Sequence, residues 1–279
     1  MTKYAPDRET HRAKKELGQN FLVDNTVCPR IADRAEIDGI GVLEIGPGFG
    51  ALTVELAKRA KKVVAVEIDS DVIPQLRENL SSFSNVEIVE GDAMELDLNG
   101  LIREQFGEMP VALVGNLPYY ITSPLITKFL LDELPLQSIT VMVQKEAGQR
   151  LCAKPGTREC GAVSAAVWYY SEPKMLFDVK PGAFRPRPKV MSSVIRLRIR
   201  EHAPVKISSP DALFRVVRAA FGQRRKTAIN AVSALMNIPK KDAETAIREA
   251  GLPDSVRAEQ ISLEGFARLT EALENRQIK

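Results

Sequence analysis

The chain has 279 residues, 44% hydrophobic and 27% charged, with a formal net charge of +3. That length suits one large domain, or one plus a small appendage, and the composition is that of an ordinary globular protein. No apolar run approaches the ~18 residues of a membrane span. The three cysteines lack CxxC spacing, and His11 and His202 are the only histidines, so disulfides, zinc and histidine metal sites are not expected.

The polar stretch 1–19 has no apolar core of the signal-peptide kind, which makes a cytoplasmic location the default expectation. Val42-Leu43-Glu44-Ile45 reads as a first strand, Gly46-Pro47-Gly48-Phe49-Gly50 as a glycine loop, and Leu52 to Ala60 as a helix. Val63 to Val66 is a second strand, followed by a helix around Val72 to Asn79. Val86 to Val89 and Val111 to Val114 are the third and fourth strands. Pro124 to Leu134 is a helix with proline in its first turn, and Ile139 to Val143 is a fifth strand. Such alternation predicts an α/β fold with a parallel, doubly wound sheet.

Ligands of such sheets lie beyond the carboxyl ends of the strands. There the first strand meets the glycine loop, the second ends at Glu67, the third at Asp92 and the fourth at Asn116. The loop lacks the Lys-Ser/Thr pair of a phosphate loop and departs from the G-x-G-x-x-G dinucleotide spacing. Glu67, 21 residues after Gly46, is placed to accept hydrogen bonds from ribose hydroxyls. A nucleoside ligand without pyrophosphate fits, and S-adenosylmethionine is one.

ELGQNFL (16–22), EIGPGFG (44–50), VEID (66–69), GDAM (91–94) and GNLPYYITSP (115–124) together resemble the small-subunit ribosomal RNA adenine dimethyltransferases. QKEAGQRL (144–151), AFRPRPKV (183–190) and FRVVRAAFGQRRKT (214–227) extend the resemblance over nearly the whole chain. The erythromycin-resistance methyltransferases share a similar QNFL segment and glycine loop. Asn-Leu-Pro-Tyr-Tyr and FGQRRKT look more like the small-subunit enzymes.

The resemblance implies a Rossmann-like class I methyltransferase domain, a small all-α C-terminal domain and S-adenosylmethionine as methyl donor. It implies dimethylation of N6 of two adjacent adenosines in the 3′-terminal hairpin of 16S rRNA, coupled to small-subunit maturation. By the same resemblance, Asn20, Leu22, Gly46, Glu67, Asp92 and Asn116 contact the cofactor. Asp92 accepts from its adenine amine, and Asn116 also faces the target base. The alternatives are a large-subunit rRNA methyltransferase conferring macrolide resistance, a DNA or small-molecule methyltransferase, and an assembly factor acting by binding.

The chemistry suits the Asn116-Leu117-Pro118-Tyr119 segment. The N6 lone pair of adenine is delocalised into the ring, so acceptors facing its hydrogens favour a pyramidal, attacking nitrogen. The Asn116 side-chain oxygen and a backbone carbonyl beside Pro118 are suitable, Pro118 stiffens the turn, and Tyr119 can stack on the base. Phe184 stands between Gly182-Ala183 and Arg185-Pro186-Arg187-Pro188; the resemblance places this loop beside the pocket, so Phe184 is expected to close on the extruded adenine opposite Tyr119, with core packing as the alternative.

Seven basic and no acidic residues occupy 180–200, and Arg215, Arg218, Arg224, Arg225 and Lys226 form a second cluster. Two such runs favour a polyanion, with solvated faces as the alternative, and the resemblance implies that the polyanion is small-subunit rRNA in an immature subunit. Alternation from Val194 to Arg200 puts Arg196, Arg198 and Arg200 on one strand face, for RNA or for solvent. Trp168, Tyr169 and Tyr170 are assigned to core packing in an apolar strand. PVKISSP (204–210) is the linker between a methyltransferase domain, 1–204, and a helical RNA-docking domain, 205–279. Helices are expected at 211–221, 226–236, 241–250 and 263–274, with Gly251-Leu252-Pro253 as a break, and the protein is expected to be a monomer.

Overall fold

The computed structural model describes Lys14 and residues 17–276. His11 and Glu16, named above, lie outside the described residues, as does most of the polar stretch 1–19. The chain divides into two compact units, one comprising residues up to 148 with 172–199, the other 149–171 with residues from 200 on.

In chain order the elements are β1 (Phe21–Leu22), α1 (Val27–Ala35), β2 (Gly41–Ile45), α2 (Ala51–Ala57), β3 (Lys62–Glu67), α3 (Ile73–Leu80) and β4 (Val86–Glu90). Then come α4 (Leu98–Phe106), β5 (Val111–Asn116), α5 (Thr122–Leu131), β6 (Ser138–Gln144), α6 (Lys145–Cys152) and α7 (Ala162–Tyr170). β7 (Ser171–Val179), β8 (Phe184–Arg185) and β9 (Ser192–Ile199) follow, and the chain ends in α8 (Pro210–Phe221), α9 (Ala228–Leu235), α10 (Lys240–Glu249) and α11 (Leu263–Glu274).

Seven strands form one sheet in the order β4-β3-β2-β5-β6-β9-β7. The first five run parallel, and β9 is antiparallel to β6. The strands at its centre are apolar on both faces because helices cover both: every residue of β2 is buried, as are Val111 to Gly115 of β5. β4, at the sheet's edge, keeps both its glutamates exposed. Helix α4 has no counterpart in the sequence expectations. Its Leu98, Ile102 and Phe106 recur every four residues and are buried, and the Asp97 carboxylate caps it by accepting from Gly100 N–H at 3.0 Å.

The second unit packs α8 to α11 around a core that includes Leu213, Val217, Ile247, Phe266 and Leu269. It also takes in α7, which corrects the reading of Trp168–Tyr170 as part of a strand. Ala162, Ala165 and Ala166 favour helix, and Ser164 Oγ accepts the Gly161 N–H at 2.9 Å at its start. The core role stands for Tyr169 and Tyr170: Tyr169 meets Phe214 edge-on at 5.3 Å, and Tyr170 stacks on Phe214 at 5.6 Å. These contacts draw 149–171 into the helical unit, although the segment precedes the expected boundary at 204. At that boundary Ser209 caps α8 by accepting from Ala212 N–H at 3.2 Å, with Pro210 beginning the helix.

Both basic clusters are engaged in part: Arg224 donates to the Cys160 carbonyl at 3.3 Å, while Lys180, Arg185, Arg187 and Lys189 are exposed. Arg196 bonds the Glu36 carboxylate and the Arg34 carbonyl, and Arg198 bonds Glu36 at 3.0 Å. Arg200 donates to the Ser171 carbonyl at 3.2 Å. In the second unit Arg215, Arg218, Arg224, Arg225 and Lys226 are exposed. Among the described residues, no helix is long and apolar enough to cross a membrane.

Candidate active site

The parallel strands end together. Ile45 pairs with Val66 and with Gly115, Glu67 with Glu90, and Asn116 with Met142. This register brings the glycine loop, Glu67 and Asn116 to one edge, where they line a cavity closed on another side by residues 17–22. Its walls include Asn20, Leu22, Gly46, Leu117, Pro118 and Tyr119, six of the residues expected at the site. No lysine or arginine is among the described residues lining it, whereas Glu44 and Glu67 are.

Gly46, Gly48 and Gly50 have φ of +71°, +56° and +87°, the left-handed region open to glycine. Gly48 is constrained twice, because a Cβ there would stand 3.2 Å from the Phe21 ring. The loop is anchored by Glu67, whose Oε2 accepts the Gly48 N–H and whose Oε1 accepts the Asp69 N–H, each at 2.9 Å. Burial pushes the Glu67 carboxyl above its ordinary range, and these amides pull it back in part.

Glu44 is 1% exposed, and its Oε2 has no hydrogen-bond partner. Burial pushes its carboxyl up to about 8, which the Thr53 hydroxyl lowers and the Glu67 charge raises, so the group is largely protonated at neutral pH. The sequence reading passed over this residue. Its signal was a lone acid inside the apolar run Val42-Leu43-Glu44-Ile45.

The N-terminal segment is tied down at both ends of the cavity. Asn116 Nδ2 donates to the Asn20 carbonyl at 3.1 Å, and Asn20 Nδ2 donates to the Gly18 carbonyl at 2.9 Å. Lys14 Nζ lies 2.6 Å from both Asp69 and Asp71, and Gln19 Nε2 donates to Asp69 at 2.6 Å. Burial opposes ionisation of Asp69, but Lys14 and Gln19 outweigh it and hold the carboxyl below its ordinary range. Tyr119 and Ser192 share a hydroxyl hydrogen bond of 2.7 Å, and burial raises the phenol.

Two expected site residues are not among those lining the cavity. Asp92 does not line the cavity; its Oδ1 accepts the Met94 N–H at 2.8 Å, in a loop tied to β3 through Gly91 N–H and the Glu67 carbonyl. Phe184 is 2% exposed and packs in the core cluster that holds Leu22, Ile31 and Val194. β8 pairs with β1 so that Phe184 sits opposite Leu22. Stacking on a base is therefore not what Phe184 is placed for here, because reaching the cavity would empty this core position. Core packing, the alternative, describes it.

Among the described residues, no group of three histidines, cysteines or acids could hold a metal ion. The residues fit a nucleoside cofactor that carries positive charge: the Glu67 carboxylate, a neutral Glu44 with an orphan oxygen, and glycine backbone that a ligand can approach closely.

The comparisons with known proteins agree with this geometry. A family model described as ribosomal RNA adenine dimethylase matches residues 10–275. Over 267 residues the chain is 46% identical to ribosomal RNA small subunit methyltransferase A of Geobacillus thermodenitrificans (strain NG80-2), covering 93% of this chain and 90% of that protein. The crystal structure of a dimethyladenosine transferase from Plasmodium falciparum is similar with a TM-score of 0.77 at 26% identity, over 92% of this chain and 98% of that one. That of the 23S rRNA methyltransferase ErmE gives 0.70 at 30% identity, over 91% and 100%. Fold, cavity and sequence thus converge on one class I methyltransferase lineage, and the chain belongs to the ribosomal RNA adenine dimethylase family.

Proposed function

We propose that this protein dimethylates N6 of two adjacent adenosines in the 3′-terminal hairpin of 16S rRNA within an immature small subunit. It acts as a cytoplasmic monomer using S-adenosylmethionine. The observation that carries the reading is the cavity at the strand ends, lined by Asn116 and Tyr119 with the glycine loop and Glu67, and by no basic side chain among the described residues. A polyphosphate ligand would be favoured by cations there; a sulfonium nucleoside is suited by the Glu67 carboxylate.

The cofactor, when bound, supplies a methyl group already activated on sulfur. Gly46, Glu67, Asn20 and Leu22 would hold it, and Asp92 would reach it from the loop beside Glu67. The chain's remaining task is to present the acceptor nitrogen. Asn116 Nδ2 is committed to the Asn20 carbonyl, which leaves Oδ1 to accept an N6–H. The Pro118 carbonyl already accepts from Ile121 N–H at 3.2 Å and from the Thr122 hydroxyl at 3.1 Å. The second acceptor therefore falls to the carbonyl of Leu117. Tyr119, pinned through Ser192, offers its ring to the base. A stacked base cannot enter such a cavity, so the target is unpaired or flipped. The exposed cations of the second unit, Arg215, Arg218, Arg224, Arg225 and Lys226, supply phosphate contacts.

The test is incubation with labelled S-adenosylmethionine and purified unmethylated subunits of each size, followed by mapping of the modified base. Label on two adjacent adenosines of the small subunit is expected. Label on the large subunit would instead favour the macrolide-resistance reading, and binding without transfer an assembly factor.

A further inference from the structure

Tyr120 is 57% exposed, more than any other large hydrophobic side chain among the described residues. It follows the Asn116–Tyr119 cradle directly but does not line the cavity. The turn carrying it is fixed on both sides. Tyr119 before it is bonded to Ser192, while Ile121 and Thr122 after it both bond the Pro118 carbonyl. The ring rests against the cavity's rim, for a Cβ added at Gly18 would lie 3.0 Å from its Cδ1 and 3.1 Å from its Cε1. Gly18 and Pro118, its neighbours there, both line the cavity. The chain thus holds an aromatic ring in water, on a preorganised turn, at the rim of the cavity proposed to take the base.

An exposed aromatic on a fixed turn loses little conformational freedom when a base stacks on it, and every base has a face to offer. The nucleotide next to the one in the cavity is joined to it by a single phosphodiester, so it must meet the rim. We propose that Tyr120 stacks on the base adjacent to the adenine under methylation, holding one adenosine of the pair outside while the other is inside. This rests on the adenosine-pair reading above. It makes Tyr120 a positioning residue for substrate, with no part in cofactor binding. Its ring, and not its hydroxyl, carries the role.

The experiment is a cycle between side chain and base. Wild type, Tyr120→Phe and Tyr120→Ala are assayed on reconstituted small subunits with the natural sequence, and with an abasic nucleotide placed in turn on either side of the mapped adenosine. On the natural substrate Tyr120→Ala should lose about 5- to 150-fold in kcat/KM, the worth of one base–aromatic stack, and Tyr120→Phe should retain most activity. With the stacked base removed, wild type should fall to the level of Tyr120→Ala, and the substitution should cost nothing further. Cofactor affinity, measured by calorimetry, should be equal in all three proteins. Losses that multiply on both abasic substrates overturn the stack, as does a Tyr120→Ala protein that binds cofactor poorly, which would make the ring a prop for Gly18. If wild type methylates no adenosine of the intact small subunit, the adenosine-pair reading fails and takes the stack with it. Wild-type transfer with multiplying losses overturns the stack alone.

Discussion

The Glu67 carboxylate accepts the Gly48 N–H at 2.9 Å, joining the end of β3 to a glycine whose φ of +56° lies in the left-handed region that glycine adopts without strain. Its second oxygen takes the Asp69 N–H at the same distance. Glu67→Gln is therefore not a mild change, since an amide NH2 must point at one of these backbone donors. Both Glu67→Gln and Glu67→Ala are expected to weaken S-adenosylmethionine binding by about 1.5–3 kcal/mol, the range for hydrogen bonds to a charged group. Calorimetry on the folded variants measures this, and unchanged affinity would remove Glu67 from the cofactor site.

Glu44 gives the fold a pH dependence. Its carboxyl titrates near 8 in the native state, against 4.5 ordinarily, because burial disfavours the charged form. Between these values the native protein keeps a proton that the unfolded chain has released. Stability should then fall as pH rises through that window, by up to about 1.4 kcal/mol per pH unit. Glu44→Gln preserves the neutral shape and should flatten the curve of denaturation midpoint against pH, surpassing wild type above pH 8. Parallel curves for the two proteins would rule out Glu44 as the source.

Asn116 is held by the Asn20 carbonyl at 3.1 Å, which fixes which end of its amide faces the acceptor. Asn116→Ala should slow single-turnover transfer at least about tenfold while leaving subunit affinity close to wild type, because its proposed bond is to the reacting nitrogen. Asn116→Asp keeps an acceptor but cannot donate to Asn20, so it too should be slow. Rapid-quench rates equal to wild type in both variants would defeat the cradle.

Phe184→Ala should act on stability. Removing a phenylalanine that is 2% exposed from a packed core costs about 3–5 kcal/mol. Thermal melts should shift down, with cofactor binding and methyl transfer declining together as the folded fraction falls. An unshifted melt with a selective loss of transfer would return the ring to the role of a clamp on the base.

Much of this architecture is local in origin and so was legible in the residues. β2, β3, β5 and β6 are short runs rich in β-branched residues, buried between helices and ended by glycine, acid or amide, and α11 spans Leu263–Glu274 as its periodicity requires. Once those strands are parallel neighbours, the glycine loop, Glu67 and Asn116 must share an edge. What depends on partners distant in sequence was decided by the tertiary structure alone. Trp168-Tyr169-Tyr170 has the composition of a strand, yet Phe214 and the alanines before it make it a helix in the second unit. Phe184, flanked by glycine and prolines, looks exposed until Leu22, 162 positions earlier, pairs with it. Glu44 sits at an ordinary strand position, and its raised pKa arises only when the surrounding elements exclude water from it. Periodicity and turn chemistry act over a few residues, whereas burial and desolvation are properties of the assembled core.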